Sequence, residues 1–527
     1  MQKGYIYSFL VVLSLFGNVR QAQSQVWEVF DEQLNLEKKI SNGDIHLLGN
    51  ALRINVWEDN LLFLGPDYES FATVDSSTLY QYLEPWVIIR NGNSFGAFHE
   101  YGEKVMPAAY DDIETYYNLL LARKGQEYFV YDRGKRITRS IGSFAMARFA
   151  KNGQVIARQS GGSYVLPLSA NPEHQYISLK DPCRDVIIAE EASGYGLINR
   201  EGDYILKPII DEIQHLDENY FFARNEAEYL LINALSTDAD IRYNSFHRIS
   251  LEEDVLVEYI HGKLRRIMKH DGILLDIVGM DSVRRVGRHY NVHFRGQKTG
   301  LLSPDGKWDV RPTTAARKIQ PGNEGLFGAL IGEKFGFINT RGDTIISPVF
   351  DQVKPFSEGL AEVRKGQYWG YVNPADEMAI PFSFDKVGPF SEGVAIVVQN
   401  GRYNLIDRQG AMRLENSCDR ISRTGNGYFL LEDKGLLGMA KANGELISTT
   451  FYDEIRREAP DQILVRKGEA YGVIDENGDF VLPLYYSKIL FDKENDRILA
   501  RSDKNTTPTT EEMASENAKR KKKNKGA

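Results

Sequence analysis

The sequence FGFINTRGDTIISPVFDQVKPFSEGLAEV (residues 335–363) is answered thirty-four positions later by WGYVNPADEMAIPFSFDKVGPFSEGVAIV (residues 369–397). The glycines that open these units are Gly336 and Gly370, and counting on by thirty-four meets Asn404, Gly438 and Gly472 without an insertion. Counting back meets Gly300 after a step of thirty-six, then a blurred stretch, then Gly196 and Gly96. A fixed period of this length marks a repeat array, in which each unit has an apolar face that only its neighbour covers. About twelve units are counted, of which those near residues 129, 163, 230 and 266 have lost the glycine.

Within a unit the positions are numbered from that glycine. Minus one is aromatic or apolar (Phe95, Tyr195, Phe335, Trp369, Tyr403, Leu437, Tyr471), and plus two is usually apolar. Plus three is often Asn or Asp, and plus six is usually a second glycine. Plus fourteen and fifteen hold an aromatic–Asp pair, as in Phe350-Asp351 and Phe384-Asp385. Short runs of Val, Ile, Phe and Tyr cut by Gly, Asn, Asp and Pro read as strands and tight turns. In Trp369-Gly370-Tyr371-Val372 neither face is polar, so both faces should be covered. The glycine is expected to leave room for the next unit's aromatic ring. Helical repeats share this period, but a glycine and a proline in mid-unit would break their helices.

Outside the array, residues 1–24 combine Lys3, an apolar run from Tyr5 to Phe16 and a small-x-small end at Ala22-Gln23-Ser24. That is the pattern of a secretory signal, and the run is shorter than the about 20 residues a spanning helix needs. Residues 25–90 read as a worn N-terminal cap, 91–236 as repeats, 237–298 as degenerate repeats or an insertion, and 299–490 as regular repeats. Residues 491–527 read as a disordered tail. Its Lys519, Arg520, Lys521, Lys522 and Lys523 suit electrostatic contact with an anionic surface. The formal charge of −9 gives no nucleic-acid footprint, and no later segment is long and apolar enough to span a bilayer. Two cysteines are too few for a disulfide scaffold. Cys183 and Cys418 stand where other units place core aromatics, so both are expected to be buried free thiols.

The units Trp369-Gly370-Tyr371-Val372-Asn373 and Phe335-Gly336-Phe337-Ile338-Asn339 are each followed by Pro, Phe-Asp and Phe-Ser-Glu-Gly. They resemble the WG (tryptophan–glycine, also called KWG) repeat family of bacterial proteins. The resemblance runs from about Phe95 to Ile489, although only Trp369 keeps the name-giving tryptophan. It implies an all-β array with a binding or scaffold role, and it transfers no catalytic residue.

Few signals suggest chemistry. Gly92-Asn93-Ser94-Phe95-Gly96 matches the G-x-S-x-G elbow, which needs a strand before it and a helix after it; here it opens a repeat. The aspartates at plus fifteen (Asp111, Asp211, Asp351, Asp385, Asp419, Asp453) form a ladder. One carboxylate per unit is thin for a hard cation, so each is expected to close a turn by a backbone hydrogen bond. The histidines show no metal-ligand spacing, and no cofactor is implied. Gly96, Gly196, Gly300, Gly336, Trp369, Gly370, Gly438 and Gly472 are structural repeat positions. The expected fold is all-β, with hairpin repeats stacked as a solenoid or superhelical array; the alternative is one or two β-propellers. The expected function is an exported, non-enzymatic scaffold binding a protein or envelope glycan. Variable positions such as plus one (Ala97, Leu197, Tyr371, Met439) would supply its surface. The rival is an envelope hydrolase with its site in residues 237–298.

Overall fold

The structure, a computed structural model, describes residues 25–49, 52–199, 201–234, 239–252, 254–269 and 272–503. The signal segment and the run of cations at 519–523 lie outside the described residues. The described residues contain no helix. They form fourteen small sheets, twelve of four strands and two of three. The chain divides into two units, Leu52–Ile455 and a second made of Met1–Ala51 with Arg456–Ala527.

In the larger unit the sheets follow the repeat. Their first strands begin at Thr78, Asp112, Met146, Ser178, Glu212, Ile249, Met280, Lys318, Gln352, Lys386 and Arg420. The step is thirty-four residues except on either side of Ile249 and between Met146 and Ser178 and between Met280 and Lys318. Each sheet is antiparallel with its strands in chain order, which is the architecture of a propeller blade rather than of a solenoid of hairpins. Among the described residues no ladder joins one of these sheets to the next; side chains do. The plus-one ring of one sheet meets the plus-twenty ring of the following sheet edge to face. Phe337–Phe356 and Tyr371–Phe390 both have centroids 4.9 Å apart and planes at 62°. The plus-one positions proposed as surface are therefore core: Ala97, Leu197, Tyr371 and Met439 are all buried. Their variety reflects how each gap between sheets is filled.

The opening glycine has a different reason from the one its sequence suggests. Opposite the single Gly370, the fourth strand carries three residues, 381–383, because Trp369 pairs with Phe384 and Tyr371 with Ile380. That bulge presses the sheet's own backbone onto Gly370. A Cβ there would stand 2.6 Å from the Ile380 carbonyl oxygen. Gly336 meets Ile346 O at 2.4 Å, Gly196 meets Leu206 O at 2.7 Å, and Gly472 meets Leu482 O at 2.9 Å in the same way. Gly96 faces Ala108 and Gly438 faces Ser448 and Thr449, while at Gly300 the ring of Trp308 also intrudes. The next unit's aromatic is not involved. The bulge also breaks the two-residue alternation of the fourth strand.

The Phe-Ser-Glu-Gly motif locks neighbouring sheets together. Glu358 and Gly359 both have positive φ, 52° and 75°, as a two-residue hairpin turn demands. The Glu358 carboxylate accepts the Glu392 and Gly393 amides of the next such turn at 2.7 and 3.1 Å. Ser357 donates to the Phe390 carbonyl at 2.7 Å.

Residues 239–294 hold no insertion among the described residues. They supply strands Ala239–Ser245 to His289–Phe294, whose links differ from the regular ones by a few residues. Neither edge of the array matches its expected reading. In the smaller unit the strands Val26–Phe30 and Leu36–Ser41 complete a sheet with Lys488–Asp492 and Arg497–Ser502. Glu28 pairs with Ala500 and Phe30 with Ile498. So residues 26–41 are no cap, and residues 491–502 belong to a sheet rather than to a disordered tail. Trp27 is fully buried there, with the Lys488 ammonium 5.6 Å and the Arg501 guanidinium 5.7 Å from its ring centre. Both cations are held by Asp44, at 2.8 and 3.1 Å.

Candidate functional site

The predicted site residues are structural in their surroundings. Asp351 accepts the Gly366 amide at 2.7 Å, Asp385 that of Gly401 at 3.0 Å, and Asp419 that of Lys434 at 2.7 Å. Asp111 and Asp211 do the same to Gly125 and Glu226, each at 2.6 Å; Asp453 also has a partner. Each of these five carboxylates caps a turn some fifteen residues ahead, the one joining the second and third strands of its sheet, rather than a turn at its own position. Among the described residues no group of His, Cys, Asp and Glu comes together as a metal site. Ser94 begins a strand, Ser94–His99, with no helix after it. Cys183 and Cys418 are buried and free, and burial pushes both thiols up from their ordinary pKa.

The array departs from its own pattern at one place. The sheet of residues 280–314 carries Thr299 at minus one, where six other units carry an aromatic ring. Phe335 and Trp369 pack at this position into the clusters shared with the following sheet, each ring filling on the order of 150–250 Å² of contact. Thr299 leaves that space open. A cavity of about 760 Å³ results, between this sheet and the connection that leads into the next.

The chemistry of its lining is one-sided. Arg284, Arg285, His293, Lys298, Arg317 and Lys318 line the groove, and no Asp or Glu does, although the chain as a whole is acidic. Arg285 is engaged by Asp254 at 3.2 Å. Among the described residues Arg284, Lys298, Arg317 and Lys318 have no carboxylate partner. Uncompensated cations lining a concave surface focus a field that attracts anions.

Regular pairing positions the lining. Ser282, His293 and Thr299 form one cross-strand row, with Arg284 and Asn291 in the row beside it. The His293 Nδ1 lies 3.0 Å from Thr299 Oγ1. Burial, reinforced by the Arg284 charge, pushes His293 below its ordinary pKa, with Asp281 opposing. The deep end is closed by Asn291, whose amide gives to Ile319 O and whose oxygen takes Ile319 N, both at 2.8 Å. The sequence marked no histidine for a site, His293 included, and neither Thr299 nor Arg317 stood out. Thr299 shows as a gap in the minus-one series, whereas Arg317 stands two positions past plus fifteen because this unit is two residues longer.

The family described as WG containing repeat matches residues 195–229, 335–369, 369–403 and 471–505. The chain therefore carries WG repeats at the units that open on Gly196, Gly336, Gly370 and Gly472. No curated protein matches the chain. Among solved structures it is similar to the extracellular domain of BT4673 from B. thetaiotaomicron, at 12% identity and a TM-score of 0.20, covering 89% of this chain and 82% of that one. It is also similar to PorZ, a surface component of the type-IX secretion system of Porphyromonas gingivalis, at 9% identity and a TM-score of 0.23, covering 90% and 86%. BamB from Moraxella catarrhalis gives 11% identity and a TM-score of 0.21, over 63% of this chain and 95% of that one. Likeness at this level does not bear on function.

Proposed function

We propose that this chain is an exported, non-enzymatic binding protein of the cell envelope. Its repeat sheets serve as a scaffold, and the groove beside Thr299 takes an anionic group of a protein or polysaccharide partner. The observation that carries the reading is the cationic lining of that groove with no carboxylate in it. Export rests on the sequence pattern of residues 1–24. The cations at 519–523 are proposed as a second, weaker contact with anionic surfaces. The hydrolase alternative calls for a pair of carboxylates beside a bound glycan. The groove offers cations, hydroxyls and amides instead. Glu258, the fully buried acid of residues 237–298, is spent on Tyr243, Ser245 and Arg266 at 3.0, 2.6 and 2.7 Å.

The test is capture of the mature chain by peptidoglycan, outer-membrane glycolipid and envelope proteins, with and without residues 504–527. Capture that survives removal of these residues, and that Arg284→Gln with Arg317→Gln abolishes, is the expected result. Capture by none of the fractions, or release of sugar fragments from one of them, would overturn it.

A further inference from the structure

Arg317 occupies a position that the repeat elsewhere gives to aspartate. Its backbone N–H donates to Leu330 O at 2.8 Å, as that of Asp351 donates to Arg364 O at 2.9 Å, so the two residues are equivalent. In the regular sheets the aspartate carboxylate caps the amide of the turn between the second and third strands. In the sheet of residues 318–350 that turn amide is Gly332's. It has no acceptor among the described residues, and Gly332 lines the groove together with Arg317. An amide that its counterparts use to hold a carboxylate thus shares the groove with a guanidinium, the side chain best shaped to grip one with two parallel bonds.

We infer that the groove binds a short acidic glycan and seats a uronate-type carboxylate between Arg317 and the Gly332 amide. This rests on the binding reading above and names its ligand class. Arg284, Lys298 and Lys318 line the same groove, which suits a chain bearing more than one acid group. The cavity, about 760 Å³, is in the range of roughly 300–1,000 Å³ that small ligands occupy and is far larger than a lone anion requires. The floor is Thr299 and His293, with Ser282 and Gln297 beside them. Hydroxyl, imidazole and amide groups match sugar hydroxyls, and Val286, Phe294, Ala315 and Ala316 form the apolar part of the lining.

The experiment is calorimetric titration of the mature chain with trigalacturonate, maltotriose, inorganic phosphate and a hexaglutamate peptide. Trigalacturonate should bind and maltotriose should not. Two variants install what the repeat itself uses: Arg317→Asp restores the cap of the turn, and Thr299→Tyr restores the ring. Both should keep the thermal midpoint of the wild type and weaken trigalacturonate by about tenfold or more. Absent binding, or equal binding by both variants, would overturn the inference. Preference for hexaglutamate would reassign the groove to an acidic protein segment, and phosphate binding as tight as trigalacturonate would reduce it to a general anion site; either result overturns the glycan assignment. Envelope capture that both variants leave intact removes the groove but keeps the scaffold reading, whereas loss of all capture by the wild type removes that reading too.

Discussion

Gly370 lies beneath the backbone of Pro381: a Cβ on Gly370 would stand 3.0 Å from the Pro381 carbonyl carbon. Backbone cannot swing aside as a side-chain end does, so the fourth strand would have to lift. Gly370→Ala is expected to cost about 1–3 kcal/mol, read as a lower urea midpoint. An unchanged midpoint would mean that the bulge is not what selects glycine.

Asn404 shows what happens when the glycine is replaced. Its sheet has three strands, and its carboxamide reaches the segment where the fourth would run. It takes the Leu414 amide and gives to the Leu414 carbonyl, both at 3.1 Å. Asn404→Ala leaves both groups unpaired in a buried place, a loss of about 1–3 kcal/mol for each. Asn404→Gly lets the segment close in as it does over Gly370, and should be the milder change. Thermal midpoints of the two variants, ranked the other way round, would refute this.

Asp351 carries a pH dependence of known sign. Its ion pair with Lys334 and the Gly366 amide hold its carboxyl below the usual range. Its stabilisation is therefore present above the ordinary carboxylate pKa and is lost as pH falls through the lowered value. Asp351→Asn keeps an acceptor for the Gly366 amide and removes the charge. Its stability should vary less with acid pH than the wild type's, in urea titrations at several pH values; parallel curves would count against the assignment.

Glu362 has the opposite sign. Burial pushes its carboxyl up, and the Lys354 ammonium at 3.3 Å only partly counters this. The fold therefore favours the protonated acid, and that contribution fades as pH rises through the raised value. Glu362→Gln should be stabilising or neutral at neutral pH and should not gain stability on acidification. A clear loss at neutral pH would show that the Lys354 pair outweighs the cost of burial.

Trp27 tests the sheet built from both ends of the sequence. Trp27→Ala removes a fully buried ring and leaves the Lys488 and Arg501 cations without it. A loss of about 3–5 kcal/mol is expected, with residues 26–30 and 497–502 losing hydrogen-exchange protection together. Retained protection of the last strand would mean that it does not depend on the first.

The period, the strands and the places of the glycines were legible because each depends on residues close together in sequence. Gly336 and Gly370 mark their units whatever surrounds them, and the burial of Cys418 follows from its standing where Phe350 and Phe384 stand. The reason for the glycine was not legible, because a bulge such as residues 381–383 is set by pairing with the neighbouring strand, and no local pattern records it. The last sheet was missed for another reason. Val26–Phe30 and Arg497–Ser502 pair across almost the whole chain, and no local pattern records a partner that distant.

The sequence by itself determined the repeat length, the all-β character and which positions each unit must keep, since turn geometry and strand alternation are local. Tertiary structure decided that each unit becomes a sheet of three or four strands, that sheets meet through side chains rather than shared ladders, and that both ends of the sequence complete one sheet. It also decided the site. Thr299 and Arg317 are two small departures eighteen residues apart, and only the packing of one sheet against the next turns a missing ring and a reversed charge into a single groove.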